Sequence, residues 1–165
     1  MENYAQYLFI AGVVVGILIL ASYLIGVAAL YRFFLVRNYQ HKWMAFFPVA
    51  NVYGLVEATY GTHESINLFG KDIPSIFIKF HPIILTVFGG ICTQVPFIGG
   101  VIEILCSIAI YVIATIIYLK QFEIIQKPIS IPFAIVCNLI PVVGHINLFI
   151  KCRGIANGKY DYSVD

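Results

Sequence analysis

The chain has 165 residues, 61% of them hydrophobic and 11% charged, with ten Lys or Arg against eight Asp or Glu. A soluble domain carries about 25% charged residues, so this composition excludes a water-soluble monomer. The abundance of aromatics excludes intrinsic disorder, and a net charge of +2 gives no footing for nucleic acid. The expected class is a polytopic, all-α integral membrane protein forming one domain over residues 1–165.

Residues 3–31 hold no charge. About 20 apolar residues cross the hydrocarbon layer, so a first span is expected over 7–31. The N-terminus lacks the positive region of a secretory signal, and the span reads as a retained anchor. Gly12 and Gly16 form a G-x-x-x-G pair that permits close helix packing; glycine is also common in membrane helices generally.

After the basic stretch Arg32, Arg37, His41 and Lys42, residues 43–60 are apolar but broken by Pro48, Asn51, Gly54 and Glu57. Proline removes a backbone donor and clashes with the preceding turn, so this segment is a poor simple span. A polar loop is expected over 61–72. A second span follows over 73–91, with Lys79 and His81 in its first half and a kink at Pro82. A third is expected over 97–119, with Glu103 as its charge, then an amphipathic linker over 120–128. The last apolar stretch, 131–150, is interrupted by Pro132, Asn138, Pro141, Gly144, His145 and Asn147, and residues 155–165 read as a polar, frayed cytoplasmic tail.

The two broken segments align at a constant offset of 93: Pro48 with Pro141, Val49 with Val142, Leu55 with Leu148, Gly61 with Gly154. This raises a weak internal repeat of 7–61 and 97–154. Positive charge then discriminates between topologies, because basic loops stay cytoplasmic. If both broken segments dip in and return to one face, nine of the ten basic residues lie inside, with Lys79 in the second span. If all five segments cross, Lys71, Lys120 and Lys127 fall outside. Three full spans plus two proline-broken hairpin or interfacial segments is therefore expected, with five spans as the alternative. The N-terminus is outside and the C-terminus cytoplasmic in both.

Ionisable groups at membrane depth are costly and often functional. The candidate polar site is Glu103, Glu57, His145, Asn51, Asn138 and Lys79, with Pro48 and Pro141 as hinges. Glu103 shares a helical stripe with Gly99, Gly100, Cys106, Ser107, Ile110 and Ala114 and is expected to point into a bundle, as a proton or cation site or as a hydrogen-bonded carboxyl at a helix contact. No H-E-x-x-H, G-x-S-x-G or phosphate-binding loop occurs. Cys92, Cys106, Cys137 and Cys152 lack metal-ligand spacing. No catalytic residue, cofactor or metal site is expected.

Trp43, Phe46, Pro48, Ala50, Asn51 and Tyr53 form W-x-x-F-x-P-x-A-N-x-Y after a span ending in a basic stretch. This resembles a pattern in uncharacterised small multi-pass membrane proteins of Gram-positive bacteria, which implies a bacterial cytoplasmic membrane and adds no catalytic residues. The expected role is non-enzymatic: a helix-packing component of a homo-oligomer or larger membrane complex, in contact with lipid and other membrane helices. The alternative is a small transporter or channel for an ion or small solute, using the broken segments. An intramembrane enzyme fits less well.

Overall fold

The computed structural model describes residues 2–96 and 98–162. Phe97, at the expected start of the third span, lies outside the described residues, as do Met1 and residues 163–165 of the expected tail. Two long helices dominate: α1, Glu2–Val36, and α5, Gly99–Ile124. Both are long and apolar enough to cross a membrane. At 1.5 Å per residue α1 reaches about 52 Å and α5 about 39 Å. Each runs past its expected end into basic sequence. Much of the expected linker 120–128 is thus the last turn of α5.

Between them lie a 3₁₀ turn, Lys42–Phe46, and the helix α2, Pro48–Tyr60. Beyond α5 come α6, Ile131–Leu139, and α7, Pro141–Arg153, bent by 120° against each other. Pro48 and Pro141 begin α2 and α7, where the missing N–H is one the helix leaves unpaired in any case and the ring pre-sets φ. Both helices have 13 residues and are capped by Gly61 and Gly154, the glycines matched at the offset of 93.

The expected second span is not one helix. Residues 65–74 form a β-hairpin, β1 Ser65–Leu68 and β2 Lys71–Pro74. Its turn, Phe69-Gly70, has φ of 56° and 76°, and two positive values in a two-residue turn match the twist of the strands. The short helix α3, Ser75–Lys79, follows, and the chain restarts as α4, His81–Cys92, with Pro82 in its first turn. Twelve residues reach only about 18 Å, short of the hydrocarbon thickness of about 30 Å. The expected single helix over 73–91 is thus corrected to two, α3 and α4, which together run back along α5 from Ile117, packed with Ile78, to Cys106, beside Gly89, and the expected 61–72 polar loop is largely a hairpin. Ile66 and Leu68 alternate inward and pack on Val56, Ile78 and Ile117. That burial holds this stretch as a hairpin, so helix begins only at Ser75.

The main core gathers at one end of the molecule, around Phe33, Phe34, Tyr39, Phe122, Leu148 and Cys152. Arg37 Nε donates to the Ala58 carbonyl at 2.7 Å, joining the C-terminal ends of α1 and α2. Arg32 donates to the carbonyls of Cys152 and Ile155 and, at 2.7 Å, to Asn157 Oδ1. A guanidinium there satisfies carbonyls that a helix end leaves orphaned and complements the negative end of its dipole. The described part of the C-terminal tail, residues 155–162, is docked, which corrects its expected fraying. The N–H groups of Gly158, Tyr160 and Tyr162 donate to the carbonyls of Leu35, Val36 and Arg37, and Tyr162 is buried.

The start of α2 lies deeper along α1. Tyr23 donates its hydroxyl to the Phe46 carbonyl, and the Tyr31 and Phe46 rings touch. The start of α7 is likewise deep: a Cβ on Gly26 would meet His145 Cε1 at 3.0 Å. α2 and α7 therefore both begin beside the middle of α1 and run back toward its basic end.

Candidate functional site

The most polar buried cluster sits where α2, α3 and the loop after α1 converge. Glu57, in the last turn of α2, accepts from Lys79 Nζ at 3.1 Å on one oxygen and from the Tyr39 hydroxyl at 2.6 Å on the other. The side chains of Lys79 and Glu57 are 8% and 13% exposed. Lys79 Nζ also lies 4.6 Å from the centroid of the Tyr53 ring, a cation–π geometry. Burial, the hydrogen bond to Glu57 and its negative charge all raise the Tyr39 pKa far above the ordinary range, so the phenol stays protonated and keeps donating. Both carboxylate oxygens are engaged, so Glu57 here is a structural anion clamped by a cation and a phenol.

Of the residues singled out in the sequence, Glu57 and Lys79 are thus brought together. Lys79 was expected in the body of a span and instead ends a five-residue helix. Asn138 donates from Nδ2 to the Tyr111 carbonyl at 2.9 Å and to Thr115 Oγ1 at 3.2 Å, tying α6 to the middle of α5. His145 is half-buried over Gly26. The N–H of Asn51 closes the first turn of α2 on the Phe47 carbonyl at 2.7 Å. Glu103 is exposed, a correction to its expected inward orientation. Its stripe does face inward at Gly99 and Cys106, and Gly89 of α4 approaches Glu103 only at its Cα. Gly12 and Gly16 have nothing within 4 Å of where a Cβ would stand.

The sequence reading passed over Tyr39 and Gln121. Gln121 is fully buried, with neither amide atom hydrogen-bonded. Its signal was present: Ile110, Ala114, Ile117 and Gln121 recur at i, i+4, i+7 and i+11, extending the stripe found around Glu103. Tyr39 stands in a basic loop with no periodic pattern to mark it, at a site fixed by long-range folding.

Among the described residues no group of three or more His, Cys, Asp or Glu is placed to hold a metal ion. At the basic end, Arg37, Lys120 and Lys159 border a cavity of about 600 Å³, with Asp161 in its wall. The chain matches no family model, no curated protein and no solved structure.

Proposed function

We propose that this chain is a non-enzymatic component of a bacterial cytoplasmic membrane that associates with further membrane helices, in the first instance those of a second copy. The observation that carries this reading is the division of α1. Residues 4–21 are apolar and exposed throughout, whereas from Gly26 the helix enters the core. Lipid can cover such a face, but Gly12 and Gly16 leave it open to close approach by another backbone. The basic residues Arg32, Arg37, Lys120, Lys127, Lys151 and Arg153, in or just beyond the C-terminal parts of α1, α5 and α7, support an orientation with the N-terminus outside and the tail cytoplasmic. In that setting α2 and the bent α6–α7 pair enter from the cytoplasmic face and return to it.

The solute-transport reading draws on the paired proline-started helices. It has less support: Glu57 is already clamped, and Glu103 lies about 27 Å along α5 from Gln121 by helix geometry. Oxidative cross-linking tests the preferred reading. In native membranes, with the four native cysteines replaced, Gly12→Cys or Gly16→Cys is expected to give a covalent dimer. A chain that forms no cross-link at either position and runs as a monomer in mild detergent, with no co-purifying subunit, contradicts it.

A further inference from the structure

Beside the cavity that Arg37 and Lys120 border lies a smaller one, of about 250 Å³, which shares Lys159 and Tyr160 with it. Three stretches of chain wall it: residues 125–127 just beyond α5, Lys151 and Ile155 at the end of α7, and Lys159 and Tyr160 of the tail. Each stretch is held in place. Ile125 and Ile155 are buried in the main core. Gln126 takes a φ of 54°, the left-handed turn that closes a helix, and the Lys127 N–H donates to the Phe122 carbonyl at 2.9 Å. The Tyr160 N–H donates to the Val36 carbonyl at 3.2 Å, and Lys159 Nζ lies 5.3 Å from the centroid of the Tyr160 ring.

Lys127, Lys151 and Lys159 thus border one space, and no Asp or Glu lines it. Lys127 and Lys159 are exposed and Lys151 is half-buried, so a ligand from outside reaches them. A sphere of that volume is about 8 Å across, one Debye length at physiological salt, so the three charges act on one another. Among the described residues none of the three ammonium groups has an ion pair or a hydrogen bond. Asp161 belongs to the wall of the larger cavity, and Glu123 is held by Lys120 at 3.1 Å. Lysines near helix ends often serve the last carbonyls, but here these are taken. The N–H groups of Ile125, Lys127 and Gln126 close on the carbonyls of Gln121, Phe122 and Glu123, and Arg32 donates to those of Cys152 and Arg153. The three cations are left for a ligand, and an ammonium group only donates. A carboxylate brings two oxygens and one charge; a phosphate monoester brings three oxygens and a charge of about −1.5 to −2. Basic pockets between membrane helices on the cytoplasmic side bind phosphate-bearing lipid headgroups. We propose that Lys127, Lys151 and Lys159 form a phosphoryl-binding site, filled by an anionic lipid headgroup or by a free phosphate ester. The inference stands whether or not the chain self-associates.

The test is phosphorus NMR on the full chain in maltoside micelles, which contain no phosphorus, with empty micelles as the reference. Dihexanoyl phosphatidate and inorganic phosphate are the probes, added singly and then together. Saturable binding of phosphatidate is expected beyond partition into the micelle, weakened by salt and resistant to equimolar hexanoate. Dihexanoyl phosphatidylcholine, whose phosphate charge is cancelled by its own cation, is expected to bind far more weakly. Displacement of phosphatidate by inorganic phosphate assigns the site to free phosphate esters; resistance assigns it to lipid headgroups. Lys127→Gln, Lys151→Gln and Lys159→Gln are each expected to weaken binding about fivefold, and the triple variant about a hundredfold. Lys42→Gln and Lys71→Gln, outside the site, are expected to leave binding unchanged. Melting temperatures identify the folded variants, and the single variants decide if the triple does not fold. Absence of saturable binding by both probes overturns the proposal. So does displacement by equimolar hexanoate, equal binding of phosphatidylcholine, undiminished binding by the folded site variants, or an equal loss in Lys42→Gln or Lys71→Gln.

Discussion

Lys79 Nζ lies 3.1 Å from Glu57 Oε1 across the joint between α2 and α3, and Tyr39 holds the second carboxylate oxygen. A buried pair gains little over an apolar substitute, but removing one partner strands the other charge at a cost of about 3–5 kcal/mol. Lys79→Met and Glu57→Gln are each expected to destabilise the chain on that scale, measured by unfolding in detergent. The double variant is expected to cost less than the sum of the two. Strictly additive losses would show that the pair is not coupled.

The tyrosines of this region give a pH dependence. Burial pushes the Tyr60 phenol up from its ordinary value of 10.0 to about 12, with the Glu123 charge adding to the shift. Tyr39 moves in the same direction. The folded chain therefore keeps these protons at a pH where the unfolded chain has lost them, and stability falls as pH rises from 10.0 toward about 12. Ultraviolet titration is expected to show phenols, Tyr39 and Tyr60 among them, titrating late and only as the fold is lost. Tyr39→Phe, which cannot ionise, is expected to reduce the alkaline loss of stability.

Close packing and open space separate two sets of glycines. A Cβ on Gly144 would stand 2.6 Å from the Tyr118 hydroxyl oxygen and 2.7 Å from the Cys137 carbonyl oxygen. Backbone there cannot give way cheaply, and Gly144→Ala is expected to cost about 1–3 kcal/mol, as overpacking does. Gly12→Ala and Gly16→Ala are expected to leave the stability of the single chain unchanged, while Gly16→Ala weakens dimer formation. Thermal melts paired with cross-linking yields measure both effects.

Arg32 fastens the tail. Replacing it with Lys keeps the charge but loses the planar fork that reaches Cys152, Ile155 and Asn157 together. Arg32→Lys is expected to expose the chain around Lys159 to trypsin, with cleavage at least several-fold faster than in the parent. Unchanged cleavage would place the tail's anchorage in its backbone bonds to residues 35–37 alone.

Much of this architecture is legible in the residues. The uncharged runs locate α1 and α5, and Pro48 and Pro141 mark the starts of α2 and α7, because solvent chemistry and proline geometry act locally. The failures have one physical origin. Ser65–Leu68 alternate outward and inward as a strand does, yet the polar members of 65–74 read as a loop; only packing on Val56 and Ile117 reveals the hairpin. Glu103 lies on a stripe that is buried elsewhere, but α4 meets it at Gly89, which has no side chain to cover it. Glu57, Lys79 and Tyr39 are far apart in sequence and meet only through the turn after α1, a contact no spacing rule encodes.

The claim on which the membrane account rests is that α2 and the α6–α7 pair return to the face they left, so that the segments before α3 and after α5 carry their cations on one side. Labelling with a membrane-impermeant maleimide in intact cells tests it directly, using single cysteines at Tyr4, Lys71 and Lys127 in a chain without native cysteines. The account predicts that Tyr4→Cys is labelled, and that Lys71→Cys and Lys127→Cys react only after the membrane is opened. Labelling of Lys71→Cys or Lys127→Cys from outside intact cells would contradict it.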